Sequence, residues 1–152
     1  MNKVVYGKRS QAAFDTLDPR WQKVFTYIKD VLGIDHSLLE GHRGQERQDE
    51  LFFADPPATH VRWPDSTHNS MPSRGVDAVP YVLIPGRRGG IHWHDSDPQI
   101  RELYYREMVR FAAIVQMVAL LVFDLETRWG GDWDKDWSLL DNKFNDYPHH
   151  EL

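Results

Sequence analysis

The chain has no cysteine. That excludes disulfides, a thiolate zinc site and a cysteine nucleophile, and it leaves the redox compartment open. A metal, if one is held, must take His and carboxylate ligands. Excess positive charge is lacking too: 18 Lys and Arg stand against 23 Asp and Glu, for a formal net charge of -5, and the basic residues are dispersed among acids. Such a balance carries no electrostatic footprint for a nucleic-acid partner. No apolar run is long enough for a membrane span. The longest, "FAAIVQMVALLVF" from Phe111 to Phe123, contains a central Gln and falls short of the roughly 20 residues a span needs, so it reads as a core helix. The opening "MNKVVYGKRSQAAF" has basic residues but no apolar segment behind them. No signal peptide is read there, and the product is expected to begin in the cytoplasm.

What is present suits one domain over residues 1–152, a length at which roughly 68–70% of the unfolded surface is buried on folding. There is no repeat or linker, and no indication of oligomeric state; a monomer is assumed. Asp18 before Pro19 is an N-cap with Pro at the first helical position, and Trp21, Val24, Phe25, Ile28, Val31 and Leu32 recur at helical spacing up to Gly33. "HSLLEG" (36–41) reads as a strand, and "RGQERQDELFFA" as a second helix stopped by Pro56 and Pro57. "VDAVPYVLI" (76–84) reads as a strand, "IHWH" as a possible short one. Pro98 opens a long helix with an apolar stripe of Ile100, Leu103, Tyr104, Phe111, Ile114, Val115, Val118 and Leu121. From Trp129 onward the Gly- and Asp-rich tail reads as loop ending in a terminal strand. Helices interleaved with short, irregular strands predict an α+β fold, with helices packed on a small antiparallel sheet.

"STHNSMPSRGVDAVPY" (66–81) sets His68 and Asp77 nine positions apart across a breaker-rich loop. Facing one point, the two side chains could hold a metal. The best third ligand lies in "FNDYPHHEL", where Asp146 and His149 stand three apart. Two His and one carboxylate with an open fourth position form a common catalytic zinc arrangement, and Asp146 would then accept the proton of a water at that position. If the tail is extended, His149 and His150 face opposite ways and only one of them can be a ligand.

These segments resemble a known family. "STHNSMPSRGVDAVPY" is similar to the SxH…D signature of the zinc peptidases that include D-alanyl-D-alanine carboxypeptidases and bacteriophage L-alanyl-D-glutamate endolysins. "EGHRGQERQDELF", "RWGGDWDKDW" and "DYPHHEL" resemble the other blocks of the phage branch in the same order, so the likeness spans about residues 14–152. It implies His68, Asp77 and His149 as zinc ligands and Asp146 as general base. It further implies Arg43 as the cation that steadies the oxyanion, and Ser66 and Gln48 as residues lining the substrate cleft. The activity implied is cleavage of the peptidoglycan stem peptide, between L-Ala and D-Glu, by a phage endolysin that acts on the host wall after export or release. Gly75 stands where the family usually has Ala, and His150 where an aromatic usually follows the ligand. "IPGRRGGIHWHDSD" looks longer than its counterpart.

Other readings stay open beside these. A D-Ala-D-Ala carboxypeptidase would use the same ligands, and a non-catalytic, metal-stabilised wall-binding module would keep the cluster without the chemistry. His92 and His94 are rival ligands, or the exposed edge of the longer segment. Arg43 could be a surface partner of Glu46 or Asp49. Asp132, Asp134 and Asp136 alternate as in a calcium loop, yet Trp137 stands where that loop needs Gly and Lys143 where it needs Glu, so a calcium site there would be of another kind. Trp129, Trp133 and Trp137 read either as a sugar-stacking platform or as core under a loop.

Overall fold

The computed structural model describes residues 4–152. In chain order the elements are α1 (Lys8–Asp15), α2 (Pro19–Asp30), β1 (His36–Glu40), α3 (Gln45–Phe52), a 3-10 turn (Thr67–Asn69), β2 (Gly75–Pro80), α4 (Pro98–Phe123), β3 (Arg128–Gly130) and β4 (Asp146–Glu151). The strands form one sheet in the order β1-β2-β4-β3, with every pair antiparallel. This is the α+β architecture that the pattern predicts.

Both proline-led helices start where their caps place them. Asp18 accepts the Arg20 N–H at 2.9 Å ahead of α2, and Asp97 accepts the Gln99 N–H at 2.9 Å ahead of α4. Each carboxylate satisfies a first-turn donor that has no partner within its helix. α1 is a helix beyond those the pattern predicts, and its local signals are weak: no side chain caps it and none of its residues is buried.

Alternation along β2 divides the molecule. Val76 and Ala78 enter the main core with Trp21, Phe25 and Ile28 of α2 and Phe111 and Val115 of α4, while Val79 leaves by the other face into a second cluster with Tyr104 and Met108. Asp77 shares Val79's face. The buried stripe of α4 is Ile100, Tyr104, Met108, Phe111, Ala112, Val115, Val118 and Ala119, which corrects the expected one at Leu103, Leu121 and Ile114, the last only partly buried against the main core. Leu103 and Leu121 lie beside the stripe and are 46% and 70% exposed. β2 ends at Pro80 rather than running to residue 84. Pro80 has no N–H for the ladder, and beyond it a single bond from the Tyr81 N–H to the Asp35 carbonyl and an isolated bridge from Val82 to Gly90 are what remains of the pairing. The predicted strand at "IHWH" is a turn. Among the described residues, no helix is long and apolar enough to cross a membrane.

Candidate active site

In the β2–β4 register Asp77 stands opposite His149 and Val76 opposite His150. Asp77 and His149 therefore leave the sheet together, while His150 points into the main core, its ring 6.2 Å from that of Trp21. His68 arrives from the 3-10 turn. Ser66 caps that turn, its Oγ accepting the His68 N–H at 3.3 Å while its own N–H donates to Asn69 Oδ1 at 3.2 Å.

His68 Nε2, His149 Nδ1 and Asp77 Oδ1 form a triangle with sides of 3.0, 3.2 and 3.2 Å. The far side of each ring sets its tautomer. His68 Nδ1 lies 2.7 Å from the Gly41 carbonyl and His149 Nε2 lies 3.0 Å from the Glu151 carboxylate. Both partners only accept, so these nitrogens carry the protons and the opposite nitrogens present lone pairs. Three acceptors thus converge, an arrangement that needs a positive charge among them. Ligands of a tetrahedral zinc, at about 2.0–2.1 Å from the metal, stand about 3.3–3.4 Å apart, close to the triangle seen. Nitrogen, nitrogen and carboxylate oxygen are also ligand types that zinc accepts, and a fourth position is left free. Without a metal, a proton shared at this point supplies the charge. Although burial opposes it, the Asp77 and Glu151 carboxylates push His149 up to about 9. Although burial would raise it, the two imidazoles hold Asp77 well below the usual carboxylate range.

A cavity of about 520 Å³ opens over this triangle, with Arg43, Ser66 and Asp146 in its wall. Burial and the neighbouring Asp77 hold the Asp146 carboxyl above its ordinary value, with His149, His68 and Arg43 opposing. Gly130 makes that placement of Asp146 possible, because a Cβ there would lie 2.2 Å from the Asp146 carbonyl oxygen. Arg43 is buried and pairs with Glu40 through Nε at 3.0 Å, not with Glu46 or Asp49, and its Nη2 lies 3.9 Å from Asp77 Oδ2. Gln48 does not line the cleft as expected. It is fully buried behind Arg43, accepting from Arg43 Nη1 at 3.2 Å and from Asn69 Nδ2 at 3.1 Å, and so it sets the arginine. A second cavity, of about 940 Å³, lies along Trp93, Tyr105 and Tyr147 and shares Asp146 with the first.

Neither His92 nor His94 joins a three-ligand group among the described residues. His92 Nδ1 is 3.8 Å from Asp95, and His94 is exposed. Asp132, Asp134 and Asp136 do come together, with ligand atoms within 4.8 Å of one another. Asp132 already accepts the N–H groups of Asp136 and Trp137 at 3.2 and 3.1 Å, which is what holds that turn. The three tryptophans form no common platform: Trp129 is buried, Trp133 lies against the His149 ring at 5.8 Å, and Trp137 is 66% exposed. Glu40 and Glu151 join the site without a motif that predicts them. Extended-strand alternation from His149 was the available signal for Glu151, two positions on. Gly75 also finds a reason, since a Cβ there would come within 2.6 Å of Thr67 Oγ1, the hydroxyl that donates to Glu151 at 3.1 Å.

His150 departs from its surroundings in one respect: both ring nitrogens are buried without a hydrogen-bond partner. Burial pushes its pKa down to about 3, with the neighbouring His149 adding to the effect. Between that value and the unfolded value near 6.5 the unfolded chain binds the extra proton, so this residue's contribution to stability is complete above about pH 6.5 and is lost as pH falls towards 3. His150→Phe should keep the metal, raise the thermal midpoint at neutral pH and reduce the loss of stability on acidification. Parallel urea titrations at pH 7 and pH 4.5 check this; an unchanged acid dependence would contradict it.

No protein-family model matches the chain, and no curated protein sequence matches it. Among solved structures, the crystal structure of the L-Ala D-Glu endopeptidase ChiX of Serratia marcescens superposes with a TM-score of 0.61 over 99% of this chain and 91% of that one, at 22% identity. The two share a fold.

Proposed function

We propose that this chain is a zinc peptidase that hydrolyses the stem peptide of peptidoglycan between L-Ala and D-Glu, in the manner of a phage endolysin that lyses its host. The observation that carries the reading is the convergence of His68, Asp77 and His149, lone pairs inward, beneath a cleft that also holds Asp146 and Arg43. The fold shared with an L-Ala D-Glu endopeptidase supports it. His68 Nε2, His149 Nδ1 and Asp77 Oδ1 would hold the metal. When bound, zinc supplies a Lewis acid for the scissile carbonyl and lowers the pKa of a water to about 7.

The protein's own groups do the rest. Asp146, kept basic by burial and by Asp77, takes the proton of the attacking water and returns it to the leaving amine. Arg43, fixed by Glu40 and Gln48, presents a permanent positive charge to the oxygen that becomes negative as the water adds. A purely structural metal site would close its fourth position with a protein ligand and would need no base, and this favours an enzyme over a binding module.

Digestion of purified peptidoglycan, followed by mass spectrometry of the products, tests the proposal. New D-Glu amino termini are expected. Released D-Ala would mean a carboxypeptidase instead, and no product from zinc-loaded protein would leave a binding module.

A further inference from the structure

His149 directs its outer ring proton at one carboxylate. Its Nε2 lies 3.0 Å from Glu151 Oε2, and that carboxylate is itself held from two other elements: Thr67 Oγ1 donates to Oε2 at 3.1 Å from the 3-10 turn, and Arg128 Nε donates to Oε1 at 2.6 Å from β3. The Arg128 guanidinium lies over Trp133, 5.3 Å from the ring centre, and Trp133 in turn covers the His149 ring. Glu151 is 8% exposed. A carboxylate buried to that degree is unfavourable unless its oxygens are hydrogen-bonded, and here Thr67, Arg128 and the His149 imidazole supply the donors.

We propose that Glu151 is the positioning residue of the metal centre: clamped by Arg128 and Thr67, it fixes the Nε2–H tautomer and the ring plane of His149 so that the Nδ1 lone pair is delivered to the metal. This rests on the reading of His68, Asp77 and His149 as ligands. Without Glu151 the imidazole could carry its proton on either nitrogen and turn about its Cβ–Cγ bond, and one of three ligands would have to be ordered at the moment of binding. Thr67 and Gly75 belong to the device, since the missing side chain at 75 leaves room for the hydroxyl that reaches Glu151.

The measurement is zinc affinity of the purified full chain, by competition with a chromophoric chelator, together with the imidazole N–H resonances of the zinc-loaded protein. Glu151→Ala should weaken zinc binding about 10–100-fold and remove the slowly exchanging His149 Nε2 proton, with secondary structure unchanged. Glu151→Gln, which keeps an oxygen acceptor, should fall between that variant and the wild type and retain the proton signal. Should Glu151→Ala fail to fold, Thr67→Val decides, with an expected loss of about fivefold in affinity, the equivalent of one ordinary hydrogen bond. Wild-type affinity in a folded Glu151→Ala, or in Thr67→Val if only that variant folds, would overturn the proposal. Affinity is read without peptidoglycan, so a wild-type protein that binds zinc but cuts nothing would sink the peptidase reading and leave this one standing.

Discussion

His68→Ala, Asp77→Ala and His149→Ala should each leave purification without stoichiometric zinc and without measurable hydrolysis of peptidoglycan, where the wild-type chain should carry one zinc and turn over. The expectation follows from the triangle of His68 Nε2, His149 Nδ1 and Asp77 Oδ1, because on the proposed reading each atom is one of three protein ligands. Removing Asp77 also removes the negative charge that offsets two imidazoles and Arg43, so this variant should lose metal most completely. Zinc should be linked to stability as well: at a free concentration 100 times its dissociation constant it adds about 2.7 kcal/mol, and chelation should lower the thermal midpoint accordingly. Metal analysis alongside thermal unfolding checks both. A full zinc complement in His68→Ala, with an empty site in a His92→Ala, His94→Ala double variant, would place the metal at His92 and His94 instead.

That cluster was legible because its members obey local rules. His68 follows a Ser that caps a turn, Asp77 sits in an alternating strand, and His149 follows a Pro that keeps the tail extended. Alternation also separated His149 from His150, and the structure sends the second into the core beside Trp21. What could not be read depends on partners distant in the chain. Gln48 has the polarity of a cleft residue, but two hydrogen bonds from Arg43 and Asn69 draw it wholly inside. Glu40 looks like an ordinary strand-end acid until the corner after β1 brings Arg43 back onto it. β3 is only three residues long and is specified by its pairing with β4, not by any pattern of its own. Leu103 and Leu121 fit a helical stripe as well as their buried neighbours do, and only packing against the sheet and α2 selects which flank of α4 is covered.

Asp146→Asn should separate metal from chemistry: zinc retained, secondary structure intact, and turnover lower by about 10²–10⁴-fold, the usual contribution of a general base. The substitution keeps shape and removes basicity. It should be tolerated, since Asp146 meets β3 through its backbone, against Gly130, and the side chain is left to the cleft. Asp146 is not within the three-atom ligand group, so its loss should not empty the site. Its neighbours should still sense the change. With one carboxylate fewer beside it, His149 loses part of the electrostatic support that raises its pKa, and metal-free Asp146→Asn should protonate there at a lower pH than the wild type. Asp146→Glu carries a basic group on a longer arm and should recover a fraction of the rate, because reach as well as basicity decides proton transfer. Zinc content, turnover and the histidine titration give three independent readings of one residue. Near-normal turnover in a zinc-loaded Asp146→Asn would remove the base from the mechanism, and loss of zinc in that variant would make Asp146 a ligand.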